Sequence, residues 1–407
     1  MRGTVWAAAN QLGVVAGTPA ELQSALLSGA PRTLRLGQPG QDPAAVGELA
    51  RILREFGHVR VVVEEAAESG PGVPPAREPV DLADPAAVCA AEPLGITAAY
   101  EKDGDAHGGL RTAWLRAGQA LIRDQEPAER ALALLAALPA SARPDLRAAL
   151  TELASGAPWS VVWTRGPDDT EPPPPGPVAA LTVSAGRLLI AGRDGAVRHL
   201  DAEPHTGPLP GRVRALAATG DGTLLLLDER GRLHTRGPGS RLTGAVTATL
   251  AAHPGTALAA AGDTVLVGDR VGSVHAFGPA GLHQTAPHSG RVTALAATGT
   301  LVCSGGADGA VCLWTPGRAS QPAVLTERAC PVVALHAAPT ARGPAVAVAW
   351  ADGLVELHHP VTGDVRAFRP GPAIRAVAVV QDGQLALATD EMLVALRPAR
   401  PSPKALD

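Results

Sequence analysis

Lysine is almost missing from this chain: Lys102 and Lys404 stand against 33 arginines in 407 residues. With the abundance of Ala, Gly and Pro, this is the codon bias of a GC-rich, bacterial coding sequence rather than a chemical signal. Aromatic residues are scarce too, with six Trp, three Phe and one Tyr, so the stacking platforms that hold single-stranded nucleic acid are lacking. A basic region is absent as well. Residues 1–177 carry 15 basic and 22 acidic side chains, and residues 178–407 carry 20 and 17. Neither part has the electrostatic footprint of a nucleic-acid binder, and no nucleic-acid partner is expected.

No run of 18 apolar residues occurs, and the opening MRGTVWAAANQLGVVAGTPA has one Arg and an apolar run broken by Asn10 and Gln11. Neither a membrane helix nor a secretory signal fits, so the expectation is a cytoplasmic protein with no membrane partner. The four cysteines, Cys89, Cys303, Cys312 and Cys330, form no CxxC pair and read as small buried hydrophobes rather than as a disulfide framework. The patterns GxxxxGK[ST], GxGxxG, HExxH and GxSxG are missing. The common phosphate, dinucleotide, zinc and serine-hydrolase chemistries therefore lack their local residues, no cofactor is expected, and the reading leans away from an enzyme.

What the chain has is Gly and Pro, 84 together, and a length that calls for more than one core. The turns are periodic. Six times an apolar run centred on Leu181, Leu216, Leu258, Leu295, Leu335 or Val377 is followed by a turn and a second aliphatic anchor, respectively Val197, Leu233, Val274, Val311, Val355 and Val394. The first anchors recur every 35 to 42 residues. Units of that length with several short strands and Gly-containing turns are what propeller blades require. The Asp-Gly pairs at 194–195, 308–309 and 352–353 supply the positive φ of tight hairpins.

One unit is fuller than the rest. HSGRVTALAATGTLVCSGGADGAVCLWT, residues 288–315, resembles the WD-repeat pattern of a His before the first strand, Ser in the second, Asp in the turn and Trp in the third. The resemblance implies that His288, Ser304, Asp308 and Trp314 form a buried hydrogen-bonded tetrad. Asp194 and Asp352 keep the turn position, while His358 stands where the Trp would be. Residues 178–398 are thus read as a degenerate WD-type β-propeller, although the periodicity alone also allows another propeller family. The sixth unit ends after its third strand, and SVVWTR (160–165) lies upstream without a partner. Six blades closed by that strand is the expected count, with seven as the alternative.

Before the propeller, residues 1–66 read as a small α/β unit. GTVWAA and LGVVAG are strand-like runs, Thr18 with Glu21 caps TPAELQSALL, and Asp42 caps DPAAVGELARILREF; RTLRL and HVRVVVEE are further strands. A Pro- and Gly-rich break covers 67–80, and helices are expected at 109–123, 126–138 and 143–155, within a helical region 81–157. Residues 158–177 hold the closure strand and the Pro-rich PDDTEPPPPGP, and 399–407 form a tail. The predicted fold class is multidomain: an N-terminal α/β unit with a helical extension, then an all-β propeller.

Three groups of residues invite a site. Asp103, Asp105 and His107, with Gly108 in sixth place, resemble the first half of an EF-hand loop. Positions nine and twelve are Arg111 and Trp114, however, where calcium needs oxygen ligands, so these metal candidates are weak and a solvated polar loop is expected. His199, His234, His275 and His358 recur in third strands but do not share one register, so separate positions rather than a metal ring are expected. Acidic runs at Glu64, Glu65 and Glu68 and at Asp168, Asp169 and Glu171 read as solvated surface. The expected function, implied by the resemblance, is a non-enzymatic protein-interaction scaffold with one or more protein partners, with loop arginines Arg193, Arg270 and Arg318 as contact candidates. The alternative is a catalytic or ligand-sensing N-terminal domain built on Glu64, Asp103, Asp105 and His107 and targeted or regulated by the propeller.

Overall fold

The computed structural model describes residues 1–27, 32–37, 40–64, 80–166, 177–200, 209, 211–317, 321–380 and 383–399. The Pro-rich runs at 67–79 and 167–176, the acidic residues Glu65, Glu68, Asp168, Asp169 and Glu171, Arg318, and the tail beyond 399 lie outside them. Two compact units emerge, one built on Met1–Val161 and the other on Val162–Phe368 and Ile374–Pro398.

The first unit starts differently from the sequence expectation. The first run read as a strand, GTVWAA, lies in a helix, α1 (Arg2–Leu12), ended by Gly13 in the left-handed conformation at φ 62°, and the second, LGVVAG, gives the helix its last residue and then connects it onward with no strand. A short apolar run cannot tell a strand from a helix buried all round. Here the Ala-rich composition favours helix, and Val5, Trp6, Ala8, Ala9 and Leu12 are all buried. Asn10 and Gln11, which break the apolar run, have specific uses. Asn10 Nδ2 donates to the Gln119 carbonyl at 3.0 Å, and Gln119 donates to the Val14 carbonyl at 2.7 Å. Gln11 Nε2 donates to the Arg35 carbonyl at 2.8 Å.

Next come α2 (Pro19–Leu26), capped by Thr18 accepting from the Glu21 N–H, β1 (Arg32–Leu36), α3 (Pro43–Leu53), capped by Asp42, and β2 (Val59–Val63). The two strands pair in parallel, Arg32 opposite Val59, and share a core with α1, α2 and α3. This is the α/β unit. Two short helices not foreseen, α4 (Pro85–Ala90) and α5 (Pro93–Lys102), each start on an acid-Pro pair whose carboxylate accepts first-turn N–H groups, Asp84 and Glu92. Then α6 (Leu110–Leu121), α7 (Pro127–Ala137) and α8 (Pro144–Leu153) fall where the helical spacing places them. No described helix is long and apolar enough to cross a membrane.

The second unit is a six-bladed β-propeller. The first five blades are antiparallel sheets of consecutive strands, and the sixth adds a strand from earlier in the chain to three consecutive ones. The first three blades open on Val178–Ser184, Val213–Ala218 and Ala257–Ala261, and the last three on Val292–Thr298, Val332–Thr340 and Ala376–Val379. Each of these innermost strands carries one of the predicted first anchors, and the second anchors all fall in third strands. In the fourth blade CSGGADGAVCLW spans the second strand, Leu301–Gly306, its turn, and the third, Ala310–Trp314. The third, fourth and fifth blades have four strands, and the first two have three among the described residues. After its third strand the second blade turns into a helix, α9 (Arg241–Ala252), whose Ser240 and Thr243 form a capping box. In the sixth blade the strand order places β3 (Trp159–Arg165) beside Leu393–Pro398 as the fourth strand. The count is six, not seven.

Blade-to-blade cores hold the ring. With so few aromatics they are built from Val, Leu and Ala; Val178, Leu181 and Ile190 of the first blade meet Ala378, Ala386 and Leu393 of the sixth. Every fully buried Val or Leu contributes about 1.5–3 kcal/mol. Between the fifth and sixth blades the N–H of Val379 donates to His336 Nδ1 at 3.1 Å, and burial lowers the imidazole pKa from 6.5 to about 4. Between those pH values the unfolded chain binds a proton that the folded one refuses. Stability is therefore complete above pH 6.5 and lost as pH falls towards 4, by about 3 kcal/mol at most. His336→Gln, which keeps an acceptor but not the titration, should flatten this slope when denaturant unfolding is compared at neutral and acid pH.

Candidate functional site

The turns between second and third strands, and the entries to the innermost strands, lie on one face of the ring, because alternate strands run in opposite directions. Polar side chains fix that face. In the fourth blade His288, with a fully buried side chain, joins Asp308 Oδ1 through Nδ1 at 3.1 Å and Ser304 Oγ through Nε2 at 3.0 Å. Asp308 also accepts from the N–H groups of Ser289 and Ala310. Burial pushes its carboxyl pKa up, but those N–H donors and His288 outweigh burial and hold it below the ordinary value. Trp314 does not join: its Nε1 is buried without a hydrogen-bond partner, and its ring packs among Ala259, Leu266, Val292 and Leu295. The structure shows three bonded residues and an apolar wedge.

The second and third blades lock the same corner in another way. His234 Nε2 bonds Asp228 Oδ2 at 2.9 Å, and His275 Nε2 bonds Asp269 Oδ2 at 3.1 Å. Each Asp stands five residues before the second anchor and each His one after it, in DERGRLH and DRVGSVH. Two of the four third-strand histidines thus do share a register. The turn N–H of Arg232 and those of Val271 and Ser273 satisfy the other carboxylate oxygens. Burial raises both carboxyl pKa values, but the His bonds and N–H donors outweigh it and leave them lowered. In the fourth blade the equivalent of the Asp is Gly306, where a Cβ would collide with Asp308 Oδ1 and His288 Nδ1. A corner therefore holds either the Asp–His pair or the His288 triad, not both.

The fifth blade uses a third arrangement. Glu356 Oε2 accepts from Trp350 Nε1 at 3.0 Å and bonds His358 Nε2 at 3.1 Å, and Asp352 pairs with Arg328 at 2.7 Å. Asp194 caps its own turn, accepting from Ala196 N–H. Of the arginines expected at contacts, Arg193 pairs with Asp390 across the first and sixth blades at 3.3 Å, and Arg270 is exposed beside Val271, which is 76% exposed. Arg318 is outside the described residues.

In the first unit Asp103 Oδ2 bonds His107 Nε2 at 2.9 Å, its Oδ1 accepts from Asp105 N–H, and Asp105 accepts from His107 N–H. The Asp105 N–H, then His107, hold the Asp103 pKa below its ordinary value. The loop spends its acceptors on itself, and Trp114, at the twelfth place, is buried with Nε1 donating to Thr97 Oγ1. Among the described residues no group of three or more His, Cys, Asp or Glu is placed to hold a metal ion. Glu64 pairs with Arg35 at 3.0 Å. The four cysteines are free and buried, and burial pushes the Cys89 and Cys303 thiols up to about 12.

No family model matches the chain. No curated protein matches it either. Solved structures similar to it include the computationally designed Ika8 protein, 20% identical with a TM-score of 0.37 over 54% of this chain and 70% of that one. Another is the Cps50 (Swd1) β-propeller domain of Myceliophteria thermophila, 14% identical with a TM-score of 0.38 over 54% of this chain and 83% of that one.

Proposed function

We propose that this chain is a non-enzymatic interaction scaffold that binds partner protein through the turn face of its propeller. The observation that carries the reading is the set of locked corners. The Asp228–His234, Asp269–His275 and His288–Ser304–Asp308 groups pin neighbouring turns by side-chain bonds, so that Arg270 and Val271 project from a rigid support. A preorganised surface of that kind loses little conformational entropy on binding, and Arg beside an exposed aliphatic suits the mixed chemistry of protein interfaces. Residence in the cytoplasm fits four free thiols that remain reduced there. A protein that co-purifies stoichiometrically with the whole chain should be lost from Arg270→Glu/Val271→Glu and retained by a variant changed on the far turns, such as Val361→Glu. Equal retention by both variants contradicts the assignment of the face.

A further inference from the structure

The innermost strands surround a cavity of about 400 Å³ on the axis of the ring. Its lining mixes polar and apolar surface, and Leu181, Leu216, Leu258, Leu295, Leu335 and Val377, largely buried in the blades, contribute one residue each. Its charge is of one sign: Arg214, Arg291 and Arg375 line it, with no carboxylate and no aromatic ring. The three arginines stand at the entries of the innermost strands of the second, fourth and sixth blades. They are therefore spread around one mouth, on the same face as the locked corners.

Their partners differ. Arg375 is held by Asp390, Nε to Oδ1 at 2.8 Å and NH2 to Oδ2 at 2.6 Å, which fixes its position and offsets its charge. Arg214 and Arg291 make no ion pair among the described residues, and Arg291 Nε is buried without an acceptor. Arg214 is exposed and Arg291 half-buried; a buried guanidinium N–H without an acceptor is unfavourable, and the planar fork of both side chains is matched by an oxyanion. Low-dielectric walls strengthen the attraction by focusing the field of the cations into the mouth.

We propose that this mouth receives an acidic segment of a partner protein, with carboxylates on Arg214 and Arg291 and aliphatic stems against the apolar part of the lining. The inference rests on the interaction reading and gives that partner a chemistry. The apolar part of the lining gives the stem of an acidic side chain a contact that a bare inorganic anion cannot make, and the lack of lining aromatics disfavours a nucleic acid, whose bases would have nothing to stack on.

The test uses the full chain and fluorescence anisotropy with a labelled peptide of alternating Glu and Leu. The Gln-Leu counterpart serves as the uncharged control and pyrophosphate as the competing free anion. Binding of the Glu peptide, weakened at least about tenfold by Arg214→Ala/Arg291→Ala and by raised salt, supports the proposal. Arg214→Lys/Arg291→Lys, which keeps the charge and loses the fork, should bind between the two, and unchanged unfolding midpoints show that the variants fold. Equal binding of the Gln peptide, or undiminished binding to the alanine variant, overturns it, as does tight pyrophosphate binding with no peptide bound. A co-purifying partner kept by the alanine double variant but lost from Arg270→Glu/Val271→Glu removes the channel and leaves the scaffold reading standing. Loss of that reading would show instead as no partner on the wild-type chain.

Discussion

His288→Ala is expected to destabilise the propeller by about 3 kcal/mol, the largest single-residue effect on the turn face. The ring is fully buried and bonds two side chains at once. Its removal leaves Ser304 Oγ unpaired in a fully buried residue and takes from Asp308 one of the groups that outweigh its burial. The loss also has a pH signature. A carboxyl with a lowered folded pKa contributes stability above its unfolded pKa and forfeits it as pH falls through the folded one. The variant should therefore differ most from wild type near neutrality and converge with it in acid. Trp314→Phe should cost less, because its indole N–H makes no bond that could be lost and only packing volume changes. Urea unfolding of the two variants at neutral and acid pH checks both statements. Equal losses would mean that Trp314 belongs to the bonded set after all.

The repeat was legible because both anchors of every blade are aliphatic and buried, so burial itself enforces the spacing that the sequence displays. The propeller, its six blades and the residues of the His288 triad follow from that spacing and from one well-kept unit. Trp314 shows the limit: a resemblance names residue types, whereas a hydrogen bond depends on ring orientation set by neighbours such as Leu266 and Val292. The Asp–His corners were in the sequence as DERGRLH and DRVGSVH but invisible while all four histidines were compared together, since His199 and His358 sit at other offsets. The runs at 3–8 and 12–17 were misread as strands for a physical reason, as a short apolar stretch does not by its pattern tell a strand from a buried helix or its connection. Arg214 and Arg375 each stand two residues before their anchors and Arg291 four before its own, and only the closing of the ring brings the three to one mouth.

Closure is the claim on which the rest depends. A ring of short sheets is stable only if no blade is left with an open edge, which would be a template for pairing with another chain. The strand that completes the sixth blade comes from before the propeller, and Trp163 on it packs against the core shared by the first and sixth blades. A fragment of residues 177–399 should therefore be less stable than one of 159–399 by about 3 kcal/mol or more, and should self-associate. The most direct measurement is native-state amide hydrogen exchange on the whole chain. The structure predicts that the amides of Trp159–Arg165 paired with Leu393–Pro398 are protected to the same degree as those partners and open with them in one cooperative step. Fast exchange across 159–165 while Leu393–Pro398 stays protected would contradict the six-bladed, strand-closed ring.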